Sequence, residues 1–339
     1  MVATWRKSVK DLCIVKRKFV VMRTFRLLLL FAAFGLAACK ADPVIHRVLP
    51  PERPEEEQQI PEDAGEKLTA CSFNIRYYNT TDEYPWSVRK EPVMKFIMDV
   101  KPDFVGFQEV RSSQSQDIAY LLGEEYSYYD INRDTGTAIS TSSGEGVGVL
   151  YKKSRFTLED KGFFWLAENP DKLPEKNDDG TFSSWHSACR RVVVWTKLKD
   201  KWNSDRTVYF FASHFDHVSS DARLKSSELA IKKIKEITGI SDLSKSGTPV
   251  FLVADFNCKY ESSELAPLRT GMKDARSTAD KTDNGRTFNG FGETSNSIID
   301  HIFYSGPLKA DEYDVVTDDY GVKYISDHYP ILLHATYAE

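Results

Sequence analysis

The chain has 339 residues, 41% hydrophobic and 28% charged, with a formal net charge of −5. That composition is globular, and it excludes a disordered chain or a bundle of membrane spans. Residues 1–39 hold eight Lys/Arg and one Asp; without them 37 basic and 49 acidic residues remain, a net of −12. This balance weighs against a nucleic-acid partner, because non-specific binding rests on Lys and Arg neutralising phosphates.

From Met22 the sequence reads MRTFRLLLLFAAFGLAACK. Arg23 and Arg26 form a basic region, and Leu27 to Leu36 form an apolar stretch too short to span a bilayer. Ala37 and Ala38 lead to Cys39. The segment resembles a bacterial lipoprotein signal peptide, with Leu36-Ala37-Ala38-Cys39 as its lipobox. The resemblance implies cleavage before Cys39, lipidation of its thiol, and a protein anchored to a membrane of the cell envelope. Residues 1–21 read as an upstream extension, with Met22 as an expected alternative start. Residues 40–66 hold five prolines and the acidic run PERPEEEQQIPED, without apolar periodicity. They read as an extended tether. The remaining cysteines, Cys71, Cys189 and Cys258, are odd in number and lack metal-type spacing, so a disulfide framework is not expected.

Residues 67–339 alternate between strands and helices. LTACSFNI reads as a buried strand, and WSVRKEPVMKFIMDV spaces Val93, Phe96, Ile97 and Val100 at helical intervals. PDFVGFQEV is a second strand, and SQSQDIAYLLG a helix that stops at glycine. EGVGVLYKK, FTLEDKGFFWL, RRVVVWTKL and RTVYFFASHF follow as strands. DARLKSSELAIKKIKEITG is an amphipathic helix. TPVFLVADFN, NSIIDHIFYSG, YDVVTDD and HYPILLHATY complete the strands. Two packed sheets with helices outside fit the count of strands. A monomer is expected.

Polar residues stand at the strand ends: Asn74, Glu109, His214 with Asp216, Asp255 with Asn257, Asp300 with His301, and Asp327 with His328. Any one of them reads as a turn residue or a helix cap. Together they point to a shared cleft. Carboxylates and amides suit a hard cation such as Mg²⁺ or Mn²⁺, and histidines beside carboxylates suit proton transfer.

SFNIR, GFQEV, FFASHFDH, VADFN, SIIDHIFY and SDHYPI follow one another as do the motifs of the endonuclease/exonuclease/phosphatase superfamily, which the chain resembles over nearly all of residues 67–338. The superfamily includes deoxyribonuclease I, the exonuclease III class, the neutral sphingomyelinases and the inositol polyphosphate 5-phosphatases. The resemblance implies an α+β fold, a four-layer αββα sandwich of two mixed sheets, and metal-dependent hydrolysis of a phosphate ester. It implies that Glu109 is the main ligand of Mg²⁺ or Mn²⁺, with Asn74 beside it and Asp327 completing the metal site. Asp255 would orient and deprotonate the attacking water, and Asn257 would position it. His328, paired with Asp300, would hold the phosphoryl oxygens or protonate the leaving group. His214 would contact the phosphate from the other side.

Arg191 occupies a strand position from which a basic residue reaches the phosphate in this fold. Asp216 and His217 are further candidates for substrate contact, and Asp134 and Glu145 for the rim. The expected substrate is an extracytoplasmic phosphate ester: a sugar phosphate, an inositol phosphate or a phospholipid head group. A secreted or surface nuclease is one alternative, and a catalytically silent binding lipoprotein is another.

Overall fold

A computed structural model of the chain describes residues 65–293 and 297–338. The signal-like segment, Cys39 and the tether up to residue 64 lie outside the described residues. In chain order the elements are β1 (Lys67–Asn74), α1 (Trp86–Val100), β2 (Phe104–Arg111), α2 (Ser112–Leu121), β3 (Tyr126–Asn132), β4 (Glu145–Lys152), β5 (Phe156–Trp165), β6 (Val192–Asp200) and β7 (Arg206–His214). They continue as α3 (Ser220–Thr238), β8 (Val250–Asp255), α4 (Ala266–Gly271), β9 (Lys273–Asp274), α5 (Ala275–Thr278), β10 (Lys281–Thr282), β11 (Asp300–Ser305), β12 (Leu308–Val315) and β13 (Ile331–Tyr337).

The strands form two sheets. One has seven strands in the order β10-β12-β13-β1-β2-β4-β3, and the other six in the order β5-β6-β7-β8-β11-β9. Both sheets mix parallel and antiparallel pairs. Their inner faces meet in a core that includes Phe104, Val194, Phe210, Phe251, Val253 and Ile302. Phe104 lies 5.1 Å from Phe210 and 5.9 Å from Phe251, centroid to centroid. Each fully buried phenylalanine contributes about 1.5–3 kcal/mol of transfer free energy. Phe96 and Ile97 of α1 cover one outer face, packing with Phe73 and Phe107. Ala230 and Ile234 of α3 cover the other, with Phe211 and Leu252. The result is the four-layer αββα sandwich, as expected.

Register explains where the polar strand ends go. β1 and β2 run parallel, pairing Phe73 with Phe107 and Asn74 with Gln108. β7 and β8 also run parallel, pairing His214 with Asp255. β11 runs antiparallel to β8, so its first residue, Asp300, faces Asp255. The C-terminal ends of β1, β2, β7 and β8 and the N-terminal end of β11 therefore meet at one edge of the sandwich.

Two local readings change. YSYYDIN forms β3, an edge strand whose mixed polarity hides it from a search for alternation. YDVVTDD is no separate strand: β12 ends at Val315, and residues 316–319 form no strand.

Candidate functional site

Asn74 ends β1 fully buried. Its Oδ1 accepts the N–H of Arg76 at 3.0 Å, which fixes the orientation of the amide. Nδ2 then donates to Asp255 Oδ2 at 3.0 Å and Glu109 Oε1 at 3.2 Å, and lies 3.4 Å from His328 Nε2. One amide thus ties three strand ends together across the two sheets.

Glu109 sits where the register of β2 against β4 shifts between Phe107 and Val110. Its φ is +61°. A bulge re-aims a side chain out of the pleat, and a left-handed non-glycine residue costs about 1–3 kcal/mol. Here the carboxylate turns into the cavity, where its Oε2 accepts the N–H of Tyr77 at 3.1 Å. Arg76, at φ +52°, and Asn257, at φ +53°, are two further such positions lining the cavity. The N–H of Asn257 donates to Asp255 Oδ1 at 2.9 Å. Its Nδ2 donates to the Phe215 carbonyl at 3.1 Å, so the amide has one orientation. The same Nδ2 donates to His214 Nε2 at 3.1 Å. The same His214 Nε2 stands 3.4 Å from Asp255 Oδ2. Burial, then the charges of Arg191 and Arg133, hold the His214 pKa well below the usual histidine value.

His328 behaves in the opposite way. Burial works against its charge, but Asp300 and Asp255 outweigh burial, and its pKa lies well above the ordinary value. Its Nδ1–H donates to Asp300 Oδ2 at 2.9 Å, and Nε2 stands 3.7 Å from Asp255 Oδ2. Asp255 is pushed up to about 7, first by burial and then by the charge of Asp300. The edge of the Phe288 ring packs on the His328 imidazole, with centroids 5.0 Å apart.

A cavity of about 530 Å³ opens over these groups, lined by Glu109, His214, Asp255, Asn257, Asp327 and His328 among others. Arg191 and His217 line it as well. Arg191 is 4% exposed. Its Nη2 donates to His217 Nδ1 at 3.1 Å, its Nε lies 3.9 Å from Asp216, and Nε and Nη1 are buried without a hydrogen-bond partner.

The sequence matches the Endonuclease/Exonuclease/phosphatase family over residues 71–328. The chain belongs to that family. Among solved structures, an endonuclease/exonuclease/phosphatase of Bacteroides vulgatus is 33% identical with a TM-score of 0.69, over 80% of this chain and 99% of that one. The mannosyl-6-phosphatase of Bacteroides thetaiotaomicron is 28% identical with a TM-score of 0.70, over 80% of this chain and all of that one. An uncharacterized protein of Acanthamoeba polyphaga mimivirus is 26% identical over 259 residues, 70% of this chain. The matched region spans 34% of that relative's length. Family members are phosphoesterases and nucleases, and this domain is a hydrolase acting on phosphoester bonds.

Divalent-metal dependence is general in the family, and the donors here fit a hard cation. Glu109 and Asp327 present carboxylate oxygens to the cavity, with the Asn74 amide behind Glu109. Asp255, Asp300 and His328 form a second group, with ligand atoms within 4.8 Å of one another. In that group the His328–Asp300 hydrogen bond already uses one ring nitrogen and one carboxylate oxygen. Proton handling suits it better than ligation. The carboxylate oxygens of Glu109 and Asp327 suit a hard divalent cation.

Of the residues singled out in the sequence, Asp216 is placed otherwise than expected. It is buried, and its carboxylate accepts the N–H groups of Cys189, Val218 and Ser219. It holds the turn beneath Arg191 and does not line the cavity. Asp134 pairs with Arg133 and Arg190 instead of the cavity, whereas Glu145 does line it. His301 points to the other side of β11, with Nε2 at 3.0 Å from the Cys258 carbonyl.

Tyr77, Arg133 and Phe288 line the cavity without having stood out in the sequence. Arg76 and Ile299 line it too, from within SFNIR and SIIDHIFY, and Tyr77 directly follows SFNIR, so adjacency to that motif was an available signal. Arg133 follows the unrecognised β3 and had none.

Proposed function

We propose that the protein hydrolyses a small phosphomonoester, a sugar or polyol phosphate, with the help of a divalent cation. One observation carries this reading: Arg191 is buried in the cavity with two N–H donors unpaired. Leaving buried donors unsatisfied costs about 1–3 kcal/mol each. A phosphate group offers the fork of acceptors that a guanidinium matches. A cavity of about 530 Å³ lies within the usual range for small-molecule sites. The likeness to a mannosyl-6-phosphatase supports the same class of substrate.

The chain's own groups divide the reaction between them. Arg191 binds the phosphoryl oxygens, with His214 beside it. Asp255, with its carboxyl near neutrality, takes a proton from the attacking water. As the new P–O bond forms in line, the ester P–O bond breaks, and the proton of His328 passes to the leaving oxygen. Asp300 keeps His328 charged and oriented. Asn257 and Asn74 hold the carboxylate of Asp255 on both of its oxygens. A cation held by Glu109 and Asp327 would neutralise charge developing on the phosphoryl oxygens.

The lipobox at Cys39 supports attachment to a membrane of the bacterial envelope, and hence a substrate outside the cytoplasm. The test is a panel of hexose monophosphates, aryl phosphodiesters and duplex DNA, assayed with Mg²⁺ and with Mn²⁺. Release of inorganic phosphate from monoesters in preference to the other two classes is expected. DNA cleavage without monoester turnover would overturn the reading.

A further inference from the structure

We propose that Glu145 sets substrate specificity, admitting the uncharged, hydroxyl-bearing part of a monophosphate ester and rejecting esters with a second phosphate. The inference rests on the monoester reading above, and its ground is charge pairing around the cavity. Glu145 opens β4 and lines the cavity. Its Oε1 is 3.4 Å from Arg111 Nη2, and its Oε2 is 3.0 Å from Arg133 Nη1. One carboxylate therefore engages two guanidinium groups, one from the end of β2 and one from just beyond β3.

The arginines lining the cavity are Arg76, Arg133 and Arg191. Arg76 is committed to Asp82 through two contacts of 3.0 Å, and to Asp327 at 3.7 Å. Arg133 is committed to Glu145, with Asp134 at 3.8 Å. Arg191 is thus the one arginine of the three without a carboxylate in hydrogen-bond contact: its nearest is Asp216 at 3.9 Å, and its Nη2 donates to His217, so it is the guanidinium left to engage one phosphate group. A second phosphate would meet the carboxylate of Glu145 and find Arg133 already paired. Repulsion between like charges is a strong means of rejecting the wrong partner. A hydroxyl fares differently, because it donates to the lone pairs that the arginines leave free.

The backbone fixes Glu145 from both sides. Gly144 has φ +104°, which a side chain rarely adopts, and a Cβ on Gly146 would lie 2.1 Å from the Ile131 carbonyl. The carboxylate is set in place before substrate arrives, as specificity requires.

The test uses Glu145→Gln and Glu145→Asp in the full domain loaded with Mg²⁺. For each, kcat/KM is measured on a hexose monophosphate and on the bisphosphate of the same hexose, over a range of salt. Wild type is expected to prefer the monophosphate. Glu145→Gln is expected to shift that preference about tenfold or more toward the bisphosphate, mainly through KM, and to steepen the salt dependence. Glu145→Asp, which keeps the charge, should retain most of the discrimination. An unchanged preference in a Glu145→Gln protein that melts as a folded domain overturns the inference and leaves the monoester reading standing. A wild type that turns over no monophosphate overturns both.

Discussion

His328 Nδ1 lies 2.9 Å from Asp300 Oδ2, with both residues buried at the end of the cavity. The pair reverses what burial alone would do to the histidine: it keeps the proton. Asp300→Asn removes the carboxylate that does most to outweigh burial. The expected result is a fall in kcat of about a hundredfold or more, with KM little changed. Activity should be lost as pH rises through the His328 pKa, and the substitution lowers that pKa. The alkaline limb of the pH–rate profile should therefore move to lower pH. A kcat loss with the limb unmoved would mean that Asp300 only shapes the fold.

Asp255 gives a stability prediction for the metal-free protein. Its folded carboxyl is raised from the ordinary 3.8 to about 7. Between those values the folded state binds more protons than the unfolded state, so stability falls as pH rises through that window. The contribution is fully present below about 4 and lost above about 7. Asp255→Asn has no such term. Without metal, the variant should gain thermal stability relative to wild type as pH is raised from 5 to 8. A difference in melting temperature that does not vary with pH would contradict the assignment.

Glu109 is turned into the cavity by the bulge in β2, and its carboxylate is the main candidate for holding the cation. Wild type should melt at higher temperature as Mg²⁺ or Mn²⁺ is added, because a ligand that binds only the folded state stabilises it by mass action. Glu109→Gln keeps the size of the side chain and should lose most of that shift. A full shift in the variant would place the cation elsewhere.

Arg191→Lys keeps the charge and loses the planar fork. KM for a monophosphate should rise about tenfold or more, and inhibition by inorganic phosphate should weaken in parallel. Unchanged inhibition would place phosphate elsewhere in the cavity.

Much of this site was legible in the sequence, for a physical reason. Asn74, His214 and Asp255 each end an apolar run, and Asp300 begins one. Strands buried on both faces have no other place for a charged or amide side chain. The four-layer architecture followed from the same runs and from the order of the motifs. The conformations that aim Glu109 and Asn257 were not legible, because a bulge and a left-handed residue leave no periodic mark. Arg133 was hidden with β3, whose tyrosines and aspartate do not alternate. The arginines around the cavity come from separate strand ends, so no run of basic residues announced them in an acidic chain. Asp216 shows the reverse case. Its position beside His217 suggested substrate, yet its carboxylate is used by three backbone N–H groups of its own turn and the neighbouring loop.

The central claim is that Asp255 acts on water in a cation-dependent phosphomonoesterase. The most direct measurement is release of inorganic phosphate from a hexose monophosphate by wild type with Mg²⁺, by wild type with EDTA, and by Asp255→Asn with Mg²⁺. Turnover in the first reaction alone is predicted. Turnover that persists in EDTA, or that survives undiminished in Asp255→Asn, would contradict the claim.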